Sequence, residues 1–262
     1  MPSAVIIGAG PGLGLSMARR LGRENYDVAL VSRNPGRHAP YLEELKAAGI
    51  KAAAFAADVR DPRALGEALD AAERAFGPAD FVYYGPSPHQ ASERAAPVTE
   101  ITGTEVADAM GSVYPAVDVV AKVLPGMRER GTGTLLFASA ISALLPVPEL
   151  GAMAVPAAAS RGYAVTLHAA LAKEGVFAGA LVIGGLIRNS DIHGAMAEAG
   201  AADAKFLLDP DRIADIAWEF ARARKSPEVV VLPGRKGLGI NALLTGRLWR
   251  APKKSARAAK AA

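Results

Sequence analysis

Gly8-Ala9-Gly10-Pro11-Gly12-Leu13-Gly14 follows the apolar run Ala4-Val5-Ile6-Ile7 and opens an amphipathic stretch, Gly12–Arg23. A short buried strand, a glycine turn and a helix in that order are the first half of a β-α-β unit. Glycines at this junction permit positive φ and close backbone approach. The helix N-terminus beyond them offers free N–H groups and a partial positive charge, so the turn is suited to a pyrophosphate. Gly8, Gly10, Gly12, Leu13 and Gly14 are the residues of that cradle.

The same rhythm continues along the chain. Strand patterns fall at Val28–Val31, Lys51–Ala57, Phe81–Tyr84, Thr134–Ala138, Ala178–Ile183 and Val229–Leu232. Helical patterns fall at His38–Ala48, Asp61–Phe76, Gly103–Arg130, Ala157–Glu174 and from Asp209-Pro210 to Lys225. The long Gly103–Arg130 pattern places Val106, Met110, Val113, Val117, Val120 and Leu124 on one stripe. Within it Pro115 lacks an N–H, which leaves the Gly111 carbonyl without a helical partner. Leu186–Leu208 has no clear period. Short strands without strict alternation belong to a sheet covered on both faces. The expected fold is therefore α/β, a doubly wound Rossmann-type parallel sheet of about seven strands in a single domain.

The sequence of 262 residues is 51% hydrophobic and 21% charged, enough to bury a core, and alanine at about a fifth makes that core one of small side chains. The absence of cysteine excludes thiolate catalysis and disulfide or cysteine–metal scaffolds. It agrees with a cytoplasmic location, and no apolar run is long enough for a membrane helix. The net charge of +4 is placed by the last 13 residues. Arg250, Lys253, Lys254, Arg257 and Lys260, with no acid among them, leave residues 1–249 at −1. The reading is a near-neutral domain, 1–249, with a basic tail, 250–262, lacking fixed structure, and not a nucleic-acid-binding protein.

The glycine spacing does not fit the common GxGxxG form. It fits Gly8-x-x-x-Gly12-x-Gly14, and with the chain length and strand order it resembles the short-chain dehydrogenase/reductase family over about residues 3–235. The resemblance implies an NAD(P)-dependent oxidoreductase acting on a small molecule, as a homodimer or homotetramer. Where an NAD enzyme presents an acid after the second strand, this chain reads Val31-Ser32-Arg33-Asn34. An acid would repel a 2′-phosphate, whereas Arg33 pairs with it and Ser32 hydrogen-bonds it, so the expected cofactor is NADP(H). Arg33 as a solvated loop charge is the alternative. Asp58 and Val59 match the family's adenine contact, with capping of the helix near Asp61 as the other role for Asp58. Gly85, Gly185 and Ile187 complete the cofactor set that the resemblance implies.

The catalytic residues depart from the family. Its chemistry uses a serine after the fifth strand, a Tyr-x-x-x-Lys pair, and an asparagine on the preceding long helix. Hydride transfer to a carbonyl leaves an alkoxide that must be protonated. Leu171-Ala172-Lys173-Glu174 sets the register of the sixth helix and puts Ala157 and Arg161 at the tyrosine and lysine positions. Arg161 can hold ribose hydroxyls, but a guanidinium is a poor proton shuttle. Ser112 falls at the asparagine position, and Ala140 at the serine position with Ser139 just before it. Tyr163, two residues beyond Arg161, points to another face of the helix. Ser139, Arg161, Ser112 and Tyr84 are the candidate catalytic residues. Tyr84 and Tyr114 can equally be packing residues, and His193, in a segment that in the family covers the substrate, a surface histidine. His38, His89 and His168 show no metal-ligand spacing, and no metal site is expected.

The resulting expectation is an NADP(H)-dependent oxidoreductase with a non-standard proton-transfer site, acting on a small apolar carbonyl, imine or enone. Two other classes stay open: a cofactor-binding protein without redox chemistry, and a repurposed isomerase or dehydratase. Removal of Arg250–Ala262 is expected to leave NADPH affinity unchanged in a titration; a large loss would place the tail in the site.

Overall fold

In the computed structural model, residues 1–86 and 96–234 are described. Strands β1 (Ser3–Ile7), β2 (Asp27–Ser32), β3 (Ala52–Ala56), β4 (Phe81–Tyr84), β5 (Gly133–Ala140) and β6 (Val176–Ile183) alternate with helices. The helices are α1 (Leu13–Arg23), α2 (His38–Ala47), α3 (Pro62–Phe76), α4 (Gly103–Met110), α5 (Tyr114–Arg130) and α6 (Gly151–Leu171). Then follow β7 (Leu186–Ile187), α7 (Asp191–Glu198), β8 (Leu207–Leu208), α8 (Pro210–Ala223) and β9 (Glu228–Val231). One parallel sheet of seven strands runs β3-β2-β1-β4-β5-β6-β9, the expected doubly wound single-domain fold. The chain reverses its direction of travel across the sheet between β1 and β4, where the carboxyl ends of the strands leave a crevice.

The apolar runs explain the architecture. β1, β4, β6 and β9 are buried along their whole length, as strands covered on both faces are. Tyr83, Leu136, Phe177 and Phe220 pack on one face, and Tyr84, Leu135, Phe137 and Met127 on the other. α1 buries Leu13, Met17, Ala18 and Leu21 and turns arginines outward, where Arg19 pairs with Glu44 of α2 and Asp211 of α8. The Asp209-Pro210 signal holds, with Asp209 capping α8; α3 is likewise capped by Asp61, followed by Pro62 in its first turn. No helix among the described residues is long and apolar enough to cross a membrane.

Three expectations need correction. The Gly103–Arg130 helix is two helices. A Thr102–Glu105 capping box starts α4, residues 111–113 break the chain's course, and Pro115 sits in the first turn of α5. A proline ring would collide with the carbonyl four residues back in a continuous helix, so the break falls just before it. α6 begins at Gly151, six residues before the expected Ala157, and carries Pro156 inside. Proline there removes a single hydrogen bond, and the surrounding alanines favour helix. Leu186–Leu208 is partly regular: β7 and β8 form a separate two-stranded parallel sheet, with α7 between them. His89 and the 250–262 tail lie outside the described residues.

Glu228 is a buried acid of the sheet, 2% exposed at the start of β9, and Arg161 of α6 answers it with Nη2 2.7 Å from Oε1. A buried carboxylate without its partner is strongly destabilising. Arg161→Ala is expected to cost about 3 kcal/mol of stability in urea unfolding, with much of it restored by adding Glu228→Gln.

Candidate active site

The glycine turn is held by its neighbours. The Gly8 and Ala9 amides both donate to the Val31 carbonyl of β2, at 3.0 and 3.1 Å, and the Gly85 amide donates to the Ile7 carbonyl at 2.9 Å. Gly8 has φ +92°, and a Cβ on it would lie 2.6 Å from the Gly85 carbonyl carbon; one on Gly14 would lie 2.5 Å from the Gly8 carbonyl oxygen. Gly10 is different, since a side chain there would meet nothing within 4 Å on the side of the crevice. α1 begins without a side-chain cap and without an acid in its first turn, leaving its positive end uncompensated. Leu13 turns its side chain into the core and leaves only backbone to a ligand.

The crevice beside this turn encloses about 810 Å³ of empty space, including its open mouth. Gly8, Gly10, Ser32, Arg33, Asn34, Asp58, Val59, Gly85 and Ser112 all line it, so much of the expected set meets in one place. Arg33 is exposed and, among the described residues, has no hydrogen bond or ion pair. Ser32 Oγ lies 2.9 Å from Nε2 of His38, whose burial holds its pKa below the ordinary histidine value. Asn34 accepts from the Gly36 amide at 3.0 Å and shapes the turn after β2. Asp58 accepts from the Arg60 amide at 3.0 Å. The capping of α3 falls to Asp61, which accepts from Arg63 and Ala64, so the carboxylate of Asp58 is left to the crevice.

Other candidates are placed elsewhere. Arg161 is held by Glu228, and Ser139 Oγ donates to the Ala157 carbonyl at 2.8 Å; neither lines the crevice. Gly185 and Ile187 lie in the segment over the turn. A Cβ on Gly185 would be 2.5 Å from the Phe206 carbonyl oxygen, and Ile187 pairs with Leu208. Gly12 sits beneath that segment: its absent Cβ would meet Ser190 Cβ at 3.1 Å and Ile187 Cγ2 at 3.3 Å. Tyr84 donates its hydroxyl to the Ser112 carbonyl at 2.7 Å, bracing the break between α4 and α5. Burial, with a contribution from Asp118, pushes its pKa well above the ordinary tyrosine value. Ser112 Oγ donates to the Ala109 carbonyl at 2.8 Å. Tyr114 is exposed, and His193 accepts from the Asn189 amide at the start of α7.

Four charged residues joined the crevice without being foreseen: Arg37, Arg60, Asp108 and Asp191. Arg60 reaches the Asp108 carbonyl at 2.7 Å and also its carboxylate, across Gly111, where a Cβ would crowd the guanidinium. Arg37 pairs with Asp191. These contacts join residues 48 and 154 positions apart, beyond the reach of spacing arguments. Ser142, just after β5, was also missed; its buried Oγ has no partner among the described residues. The crevice fits a dinucleotide: an open glycine cradle, an uncapped helix end, a free guanidinium and an acid two strands away. No group of residues suited to a metal ion occurs among the described residues.

Comparison with known proteins agrees with this geometry. The short chain dehydrogenase family matches residues 2–198. The chain is 40% identical over 79 residues to 2,3-dihydro-2,3-dihydroxybenzoate dehydrogenase of Bacillus subtilis, a stretch covering 30% of each chain. It is 28% identical over 172 residues to gluconate 5-dehydrogenase of Gluconobacter oxydans, covering 65% of this chain and 64% of that one. It thus matches less than two thirds of the length of these relatives. The solved gluconate 5-dehydrogenase of Burkholderia cenocepacia, in complex with NADP and tartrate, superposes with a TM-score of 0.76 at 21% identity, over 89% of this chain and 94% of that one. At that identity the likeness speaks for the fold.

Tyr84→Phe tests the bracing role. Leaving the Ser112 carbonyl unpaired is expected to cost about 1–2 kcal/mol in urea unfolding, while NADPH affinity is unchanged.

Proposed function

This chain belongs to the short chain dehydrogenase family, and from that premise we propose that it is an NADP(H)-dependent oxidoreductase with a non-standard proton-transfer site. The observation that carries the cofactor preference is Arg33. Its guanidinium stands at the carboxyl end of β2, in the crevice, without a hydrogen-bond or ion-pair partner among the described residues and with no acid in Val31-Ser32-Arg33-Asn34. Such a group pairs with a phosphate dianion, and the turn after β2 carries no acid of its own to favour a bare ribose 2′-hydroxyl. Asp58 would accept from the adenine amine, and the backbone at Gly8–Gly14 would hold the pyrophosphate. Bound there, the cofactor supplies or accepts a hydride.

The proton side rests on what is missing. None of the six tyrosines is followed by lysine four residues later. Arg161, at the lysine position, directs Nε and Nη2 at Glu228, and Ser139, beside the serine position, donates to the Ala157 carbonyl. A substrate whose reduction leaves no localised alkoxide suits this arrangement: an iminium accepts hydride to give a neutral amine without a proton, and an enone accepts it at the β-carbon to give a delocalised enolate that water protonates at the α-carbon. A carbonyl would draw its proton from water. The small side chains of the Leu186–Leu208 segment and the apolar Leu144–Leu150 loop favour a small, apolar substrate. The occupied donors also support a second reading, a cofactor-binding protein without redox chemistry.

The protein is proposed to work in the cytoplasm as a homodimer or homotetramer. Along α6, Val155, Ala158, Gly162, Thr166 and Ala169 are exposed with no charge among them, a face suited to a second copy.

Arg33→Ala is expected to weaken NADPH binding by about tenfold or more and to leave NADH binding unchanged in calorimetric titrations. Equal effects on both would overturn the cofactor assignment. NADPH oxidation coupled to product from a panel of imines, enones and ketones decides for the reductase; tight NADPH binding with no turnover decides for the second reading.

A further inference from the structure

Arg37 and Asp191 come from opposite walls of the crevice. Arg37 ends the 3₁₀ turn Pro35–Arg37 after β2, four residues beyond Arg33. Asp191 is the first residue of α7, whose start Ser190 caps by accepting from the His193 amide. Arg37 Nη1 lies 2.8 Å from Asp191 Oδ2, and both residues line the crevice. The pair therefore ties the turn that carries Arg33 to the segment that rests on Gly12. That segment closes over the glycine turn through Ser190 and Ile187, which lie where a Cβ on Gly12 would meet them at 3.1 and 3.3 Å.

The pair is exposed on both sides, with side chains 42% and 65% accessible. Exposed ion pairs hold weakly, because water screens the charges and two long side chains must be kept in one geometry. A phosphate dianion carries more charge than a carboxylate and three acceptor oxygens, and a guanidinium prefers it. Asp191 would also stand as a like charge beside any anion at that end of the crevice.

Resting on the NADP(H) assignment above, we propose that Arg37 is a second ligand for the 2′-phosphate and that Asp191 is its internal competitor. Without the phosphate, Asp191 holds Arg37 and tethers α7 across the crevice mouth. Arrival of the phosphate moves Arg37 from the carboxylate to the anion and releases the tether. A cofactor lacking the phosphate leaves the pair in place. Discrimination between the two cofactors then depends on Asp191 as well as on the arginines, and the freedom of the segment over Gly12 is coupled to which cofactor is present.

Calorimetric titration of the full chain with NADPH and with NADH tests this. Asp191→Asn is expected to tighten NADPH binding by about three- to tenfold with NADH unchanged, and Arg37→Ala to weaken NADPH by about tenfold with NADH unchanged. In the Arg37→Ala background, Asp191→Asn is expected to lose most of its effect, because the competition has no object. A plain repulsive field from Asp191 would persist there at full size, and that result overturns the proposal. So does an Asp191→Asn variant that leaves NADPH affinity unchanged or lowers it, or an Arg37→Ala variant that weakens both cofactors alike. If these variants are silent while Arg33→Ala still costs NADPH alone, only the exchange is lost. If Arg33→Ala is silent too, the NADP(H) assignment falls and takes this proposal with it.

Discussion

Everything at this site depends on how closely three strands approach at their carboxyl ends. The Val31 carbonyl of β2 takes two amides from the glycine turn, and the Ile7 carbonyl of β1 takes the Gly85 amide from the end of β4. The turn is thus clamped between both neighbours of β1. A side chain at residue 8 would strike the Gly85 backbone, and one at residue 14 the Gly8 carbonyl. Those two positions are glycine because the backbone packs so closely there, whereas a Cβ at Gly10 would meet nothing within 4 Å. The crevice exists because the backbone can pack this tightly and still leave one open edge.

Much of this was legible in the sequence, for a physical reason. Local hydrogen bonding and periodicity are written within a few residues: Asp209-Pro210 announces a helix start, and the run Ala178–Ile183 announces most of the buried strand β6. The crevice was legible because it is built at strand termini, so that Gly8, Ser32, Arg33, Asp58 and Gly85 converge once the strand order is known. The break at residues 111–113 was half legible. Pro115 was recognised as an interruption, but a lost hydrogen bond was expected where the chain makes a corner. The Arg60–Asp108 and Arg37–Asp191 contacts join residues with no sequence relation, so nothing local announces them.

The polar groups near the expected catalytic positions share a pattern. Arg161, Ser139 and Tyr84 each have an intramolecular partner that would be costly to abandon: a buried carboxylate, a helix carbonyl and the carbonyl at a corner. Residue types that look like chemistry in the sequence serve here as fasteners of the fold. Tyr84 illustrates the point, since a buried phenol whose proton is already donated to a carbonyl, and whose anion is disfavoured by burial and by Asp118, is held as a neutral strut. Among the described residues, Ser142 carries a buried hydroxyl without such a commitment.

Gly12 stands apart from the other glycines of the turn, because what its hydrogen faces is neither the seven-stranded sheet nor solvent but Ser190 and the Ile187 side chain of the covering segment. The gap there is a shim of one atom's thickness. A methyl group would meet Ser190 at 3.1 Å, tighter than carbon atoms comfortably sit, and the segment would have to lift by a few tenths of an ångström to make room. The seating height of that cover over the cradle is therefore metered by the smallest side chain available, and the roof of the crevice is machined to the bare backbone at residue 12.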